Sequence, residues 1–233
     1  MKNISILDVD VYLPENIILN DRIESLINSE KENLAPGSLE KLFGIKERRF
    51  ANKEMQVSDL ASNACRKILQ RIECEVDLLI FAAASSDLIE PATANIIQHK
   101  LCLSCPVMDI KNACNSVTTA MMVAEAFIRS DKYKNILIAN GEKLSDVINF
   151  KPQSQEHLIR CLAGYTLGDA GTAILIGESD SKTIIYQELY CNGSYWDLCV
   201  VEGGGSLAFR DSEKYYFECQ SKELKAAIIK HCI

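Results

Sequence analysis

The sequence predicts a layered α/β fold, and three observations predict it. Segments with apolar residues at helical spacing alternate with short, wholly apolar runs, the pattern of strands covered on both faces. The balance of 48% hydrophobic and 24% charged residues, with 11 Gly and 5 Pro, is that of an ordinary folded chain. A run of small residues, 164–173, leads directly into apolar residues 174–177, so that a turn can approach neighbouring backbone closely before a buried strand begins.

In chain order, residues 4–11 read as a strand that Leu13-Pro14-Glu15-Asn16 ends with turn chemistry. Asn20 is placed to cap a helix starting at Asp21, and the polar residues 28–37 follow as a loop. Residues 38–43 form a short helix closed by Gly44, a residue suited to positive φ. A dense charge run over 45–50 precedes a helix over 58–71, whose Leu60, Ala61, Ala64, Ile68 and Leu69 share one face. Residues 77–83 are apolar after the first and read as a fully covered strand. The unit repeats with a helix over 92–99, a strand over 105–110, a long helix over 116–129 and a central strand over 135–139. Residues 142–160 read as an irregular surface loop, 183–189 as a strand, 191–194 as a turn, Gly203-Gly204-Gly205 as a flexible loop and 221–231 as a helix.

With 25 basic against 32 acidic side chains the net charge is −7, which argues against nucleic acid or an anionic membrane as partner and leaves small anionic ligands open. No apolar run approaches the roughly 18 residues of a membrane span. The ten cysteines are scattered and follow no secretory signal, so a reducing, cytoplasmic setting is expected, with most thiols serving as small buried hydrophobes. Cys102 and Cys105 have the spacing of a zinc or redox pair but lack a second ligand pair, and read as packing. Asp169 reads as a turn organiser that accepts backbone N–H groups.

Cys114 is the strongest candidate for chemistry. It follows an apolar strand and immediately precedes the helix over 116–129, so its thiol would stand near exposed N–H groups and the positive helix end, both of which favour the thiolate. The helix starts with small and apolar residues, as expected of a buried helix whose N-terminus opens into an enclosed cavity. On pattern alone a buried structural cysteine stays open as the alternative.

Asn112-Ala113-Cys114-Asn115-Ser116, with Phe43-Gly44-Ile45-Lys46-Glu47-Arg48-Arg49 and Leu167-Gly168-Asp169-Ala170-Gly171-Thr172-Ala173, resembles the beta-ketoacyl-acyl carrier protein synthase III family of the thiolase-like superfamily. Asn192-Gly193-Ser194-Tyr195 and Gly203-Gly204-Gly205 are similar to a further stretch of those enzymes. The resemblance implies the layered α/β/α/β/α thiolase-like architecture, mainly its N-terminal half. Residues 1–180 would be that half-domain, with 181–233 the connecting strands and the start of a second half.

It further implies that Cys114 accepts an acyl group from a coenzyme A or phosphopantetheine thioester, for condensation with malonyl-acyl carrier protein in fatty acid or polyketide-type synthesis. The backbone N–H of Cys114 would serve the oxyanion, and no cofactor would be required. Lys46, Arg48 and Arg49 would meet a phosphopantetheine phosphate or an acidic carrier protein, and Asn112 would line the substrate site. Glu90 stands in the loop that in such homodimers reaches the partner's acyl tunnel. A carboxylate buried there would disfavour a plain fatty chain, and one facing solvent would not.

Two departures from the family pattern matter. Ser38 and Leu42 replace the Trp and Arg that clamp the adenine of coenzyme A, which tilts the donor toward acyl carrier protein. The family's catalytic His and Asn have no counterpart, since His99 reads as a helix-end residue, His157 lies in a loop outside any motif and His231 lies at the frayed end. A homodimer, or a heteromer whose other subunit completes the fold, is therefore expected. The alternatives are a noncatalytic subunit and an interaction module with an inert Cys114.

Overall fold

The computed structural model describes residues 3–27, 34–180 and 184–232, with side chains through residue 230. The expected loop over 28–37, the strand over 183–189 and the His231 side chain fall partly or wholly outside the described residues. The chain divides into two compact units that interleave in sequence: one of residues 1–15, 51–143 and 169–189, the other of 16–50, 144–168 and 190–233.

The first unit is a five-stranded mixed sheet with helices on both faces. Strands β1 (Ile4–Tyr12), β4 (Leu78–Ala82), β5 (Val107–Ile110), β6 (Ile136–Lys143) and β7 (Asp169–Glu178) lie in the order β1-β7-β6-β4-β5. β4 runs parallel to β5 and β6, whereas β7 is antiparallel to β6 and β1. β4 is buried along its whole length because its alternate residues enter two cores. Leu79 and Phe81 join helices α3 (Val57–Arg71) and α4 (Thr93–Leu101), while Leu78, Ile80 and Ala82 join α5 (Ser116–Arg129). Each large side chain so buried contributes about 2 kcal/mol.

Two glycines set the distance between α3 and the sheet. Gly141 and Gly171 are cross-strand partners. A β-carbon on Gly141 would stand 2.2 Å from the Val57 carbonyl oxygen, and one on Gly171 would stand 1.9 Å from that of Leu60. The helix therefore rests on bare backbone, which is what the small-residue run before 174–177 predicts. That run is not a single turn, because its second half, from Asp169 on, lies within β7. At the start of α3, Gln56 and Asp59 form a reciprocal capping box.

The second unit holds the antiparallel pair β2 (Asn16–Leu19) and β3 (Glu47–Phe50), the helices α1 (Asn20–Ile27), α2 (Ser38–Phe43) and α6 (Gln155–Cys161), the pair β8 (Cys199–Val201) and β9 (Phe217–Cys219), and α7 (Ser221–Cys232). Its core gathers Ile23, Ile27, Leu39, Ile148, Leu158, Cys161 and Tyr165. Tyr165 is fully buried, and its hydroxyl donates to the Asn149 carbonyl at 2.9 Å. Glu24 caps α2 by accepting the N–H groups of Gly37 and Leu39, and Gly44 closes α2 at φ 69°.

Several expectations are corrected. The charge run over 45–50 contains β3, because Arg48 turns inward against Asn20. Asn20 consequently spends its side chain on Arg48 and the Ile45 carbonyl, and α1 starts at Asn20 itself. The loop over 142–160 contains most of α6, which Ser154 caps. Residues 184–189 form no strand: Ile184 donates to the Ile4 carbonyl, but Ile185 and Tyr186 are exposed. Gly203 is tied rather than flexible, donating to the Lys214 carbonyl at 2.7 Å with Tyr215 against its α-carbon.

Candidate active site

The candidate site stands where β5 gives way to α5, at the carboxyl end of a parallel strand. β5 is tied to α4 by Asp109, whose carboxylate accepts the N–H groups of Thr93 and Ala94, both at 2.8 Å. Asn112, Ala113 and Cys114 then turn the chain into α5, with Ala113 at φ 47° in the left-handed region. That conformation costs a residue bearing a β-carbon about 1–2 kcal/mol, so the turn must be held by its surroundings.

The holding groups are polar and local. The Asn112 N–H donates to Ser116 Oγ at 2.8 Å, and Ser116 Oγ donates to the Ala113 carbonyl at 2.7 Å. The Asn112 side-chain amide donates to Thr119 Oγ1, which in turn donates to the Asn115 carbonyl, both at 2.9 Å. Residues 112, 116 and 119 thus form a line of hydrogen-bonding groups where the sequence reads as a small and apolar helix start. Their i, i+4, i+7 spacing is the signal that could have found Ser116 and Thr119.

Cys114 is exposed rather than enclosed. Among the described residues, no hydrogen bond uses its backbone N–H. Two thiols in the cores behave differently: burial pushes Cys65 up to about 12 and Cys161 up to about 11. Cys102 is an exposed left-handed cap at the end of α4, and Cys105 is buried in the core beneath it.

The loop after β4 belongs to the same unit. Glu142 accepts the N–H groups of Ala84 and Ser85 and the Ser85 hydroxyl, and Asp87 accepts the N–H and hydroxyl of Ser58. Between these anchors and the cis Glu90–Pro91 peptide, Leu88, Ile89 and Glu90 are exposed. The Glu90 carboxylate therefore carries no burial cost within this chain.

The basic residues lie in the second unit, where β3 divides them. Alternation along the strand sends Arg48 inward. It is 7% exposed, burial lowers its pKa, and its guanidinium donates to Asn20 Oδ1 at 2.8 Å and to the Ile18 carbonyl at 3.4 Å. Lys46 lies 3.8 Å from Glu40 and Arg49 3.9 Å from Glu47. Lys46, Arg48 and Arg49 therefore do not form one surface cluster. Ser38 begins α2 and Leu42 is exposed on it.

His99 is exposed in the last turn of α4. His157 Nδ1 accepts the Gln153 N–H, and its Nε2 lies 3.2 Å from Glu218 Oε1, off the line of a hydrogen bond. Asp169 accepts the Ala51 N–H at 2.7 Å, the backbone role expected of it. The second unit also holds a cavity of about 760 Å³, lined by charged groups such as Arg160, Lys214, Glu202 and Glu218. Among the described residues no cluster of potential metal ligands occurs, and no helix is long and apolar enough to cross a membrane.

Residues 108–193 match the family model described as 3-Oxoacyl-[acyl-carrier-protein (ACP)] synthase III. The chain is 32% identical over 221 residues to beta-ketoacyl-[acyl-carrier-protein] synthase III of Staphylococcus haemolyticus, a match covering 92% of this chain and 66% of that protein. It is 31% identical to the Neisseria meningitidis protein of the same name, over 82% of this chain and 58% of that one. Among solved structures, 3-oxoacyl-[acyl-carrier-protein] synthase III from Aquifex aeolicus superposes with a TM-score of 0.78 at 25% identity, covering 96% of this chain and 67% of that one. A variant of Xanthomonas campestris OleA superposes with a TM-score of 0.83 at 23% identity, covering 99% and 70%, and shares the fold. The likeness thus runs over most of the chain, which spans between about half and two thirds of the length of these curated relatives. The α/β fold, with its mixed sheet and flanking helices, is the thiolase-like fold of these structures.

Proposed function

We propose, from the premise that the chain belongs by homology to the thiolase-like superfamily of condensing enzymes, that Cys114 accepts an acyl group from a carrier thioester. One observation carries the reading. Within the stretch that matches the synthase III model, Cys114 is exposed on a left-handed turn directly before α5, and no described hydrogen bond occupies its N–H.

The Cys114 sulfur attacks the thioester carbonyl, forming a new carbon–sulfur bond, and the carbonyl oxygen becomes an oxyanion facing the Cys114 N–H. Collapse of the oxyanion breaks the bond to the carrier's sulfur, and the carrier leaves as a thiol with the proton lost from Cys114. The product is an acyl-Cys114 thioester. The replaced clamp positions Ser38 and Leu42, and the internal use of Arg48, favour acyl carrier protein over free coenzyme A as donor. Acyl transfer to malonyl-acyl carrier protein in fatty acid or polyketide-type synthesis would follow.

Decarboxylation of a malonyl unit needs groups that stabilise a thioester enolate. His99 is exposed at the end of α4, and His157 is engaged by Gln153 and Glu218. We therefore assign to these residues the acyl-transfer half-reaction, with the groups that stabilise the enolate supplied from outside them.

Incubation with acyl-coenzyme A and with acyl-acyl carrier protein, followed by intact-mass and peptide mapping, tests the reading. One acyl adduct on Cys114, absent from Cys114→Ala, is expected. No adduct, or one that survives the substitution, overturns it. Condensed product from malonyl-acyl carrier protein and this chain alone would overturn the division of labour.

A further inference from the structure

We propose that Ser116 is a positioning residue that aims the Cys114 backbone N–H at the developing oxyanion. The proposal rests on the reading of Cys114 as acyl acceptor. The Ala113 carbonyl and the Cys114 N–H belong to one planar trans peptide, so they point in opposite directions and fixing one aims the other. Ser116 Oγ fixes the carbonyl with a 2.7 Å hydrogen bond. The Ser116 N–H approaches the same oxygen at the longer distance of 3.2 Å, so the hydroxyl supplies the tighter restraint.

The hydroxyl cannot drift away from this task. Its oxygen simultaneously accepts the Asn112 N–H at 2.8 Å, and Ser116 is 2% exposed, so little water can compete for either bond. The two bonds bracket Ala113, the residue at φ 47°. Donation to the carbonyl also polarises the peptide, which strengthens the N–H on its far side as a donor. Ser116 touches no reacting atom in this scheme; its effect passes through the peptide between Ala113 and Cys114.

Acylation of a thioester develops an oxyanion, whereas alkylation by iodoacetamide does not, so the two reactions separate aim from access. The experiment compares the unsubstituted full chain with Ser116→Ala and Ser116→Thr, reading single-turnover acylation against thioester concentration and the rate of Cys114 alkylation by peptide mapping. Because losing an oxyanion donor outright costs about a hundredfold or more, misaiming it in Ser116→Ala should slow acylation at saturating thioester about tenfold. Half-saturation and alkylation should stay within about twofold, and Ser116→Thr, which keeps the hydroxyl, should recover most of the rate. Acylation of Ser116→Ala at the unsubstituted rate overturns the proposal, as does an equal slowing of acylation and alkylation. Alkylation without any acylation in the unsubstituted chain overturns the acyl-acceptor reading, and this proposal with it.

Discussion

The loops of the sheet-bearing unit and the cavity of the other unit use charged residues differently. In those loops carboxylates hold backbone: Asp109 the start of α4, Glu142 and Asp87 the two ends of the loop after β4, and Asp169 the Ala51 N–H. In the other unit many charges meet one another around an open cavity, as Arg160 and His157 meet Glu218 and Lys214 meets Glu202. A carboxylate bonded to two N–H groups fixes where a loop lies, whereas a solvent-exposed ion pair is screened and contributes little. The turn that carries Cys114 belongs to the first kind of region. Its geometry is set by short bonds to backbone.

Two buried thiols can report the units separately, since Cys65 lies in the sheet-bearing core and Cys161 in the other. The largest effect is expected from Phe81→Ala, which empties the face of β4 toward α3 and α4 and should cost about 4 kcal/mol in urea denaturation. Cys65 alkylation should then rise by roughly a thousandfold. Gly171→Ala should follow at about 3 kcal/mol, since the added methyl meets backbone that cannot yield without moving α3. Tyr165→Phe, which leaves the Asn149 carbonyl without its donor, should cost about 1 kcal/mol and speed Cys161 alkylation about fivefold while leaving Cys65 nearly unchanged. Equal acceleration of both thiols in any of these variants would show the units opening together and would end the comparison.

The smallest effect is a pH dependence at Asp59. Burial raises its carboxyl, but the Lys100 ammonium and the Gln56 N–H outweigh that, and its pKa lies below the ordinary 3.8. A lowered folded value gives stability that is present above the ordinary value and is lost as pH falls through the folded one. The unsubstituted chain should exceed Asp59→Asn by about 0.5 kcal/mol at neutral pH, after allowing for solvent screening. The gap in urea midpoint should close as the pH drops below 4.

Much of this arrangement was legible in the residues. α2 and α5 lie where periodicity and Gly44 put them, and the apolar run of β4 announced a strand with two covered faces. β3 was hidden because the inward turn of Arg48 depends on Asn20, a partner 28 positions away. The strand expected over 183–189 does not form over the described residues 184–189, because the single bond from Ile184 to the Ile4 carbonyl does not make a ladder and propensity alone does not make a strand. At the site, the position of Cys114 between strand and helix was readable. Its exposure was not, because it depends on how the turn bends at Ala113.

The glycine pair beneath α3 bears on how the chain finds its fold. β6 and β7 join residues some thirty positions apart, and a slip of two along β7 would keep every side chain on its proper face while placing Ala173 where Gly171 belongs. The methyl group would then occupy the space of the Leu60 carbonyl, and the helix could not seat. Docking of α3 thus proofreads the pairing, rejecting a misregistered hairpin that hydrophobic alternation alone would accept.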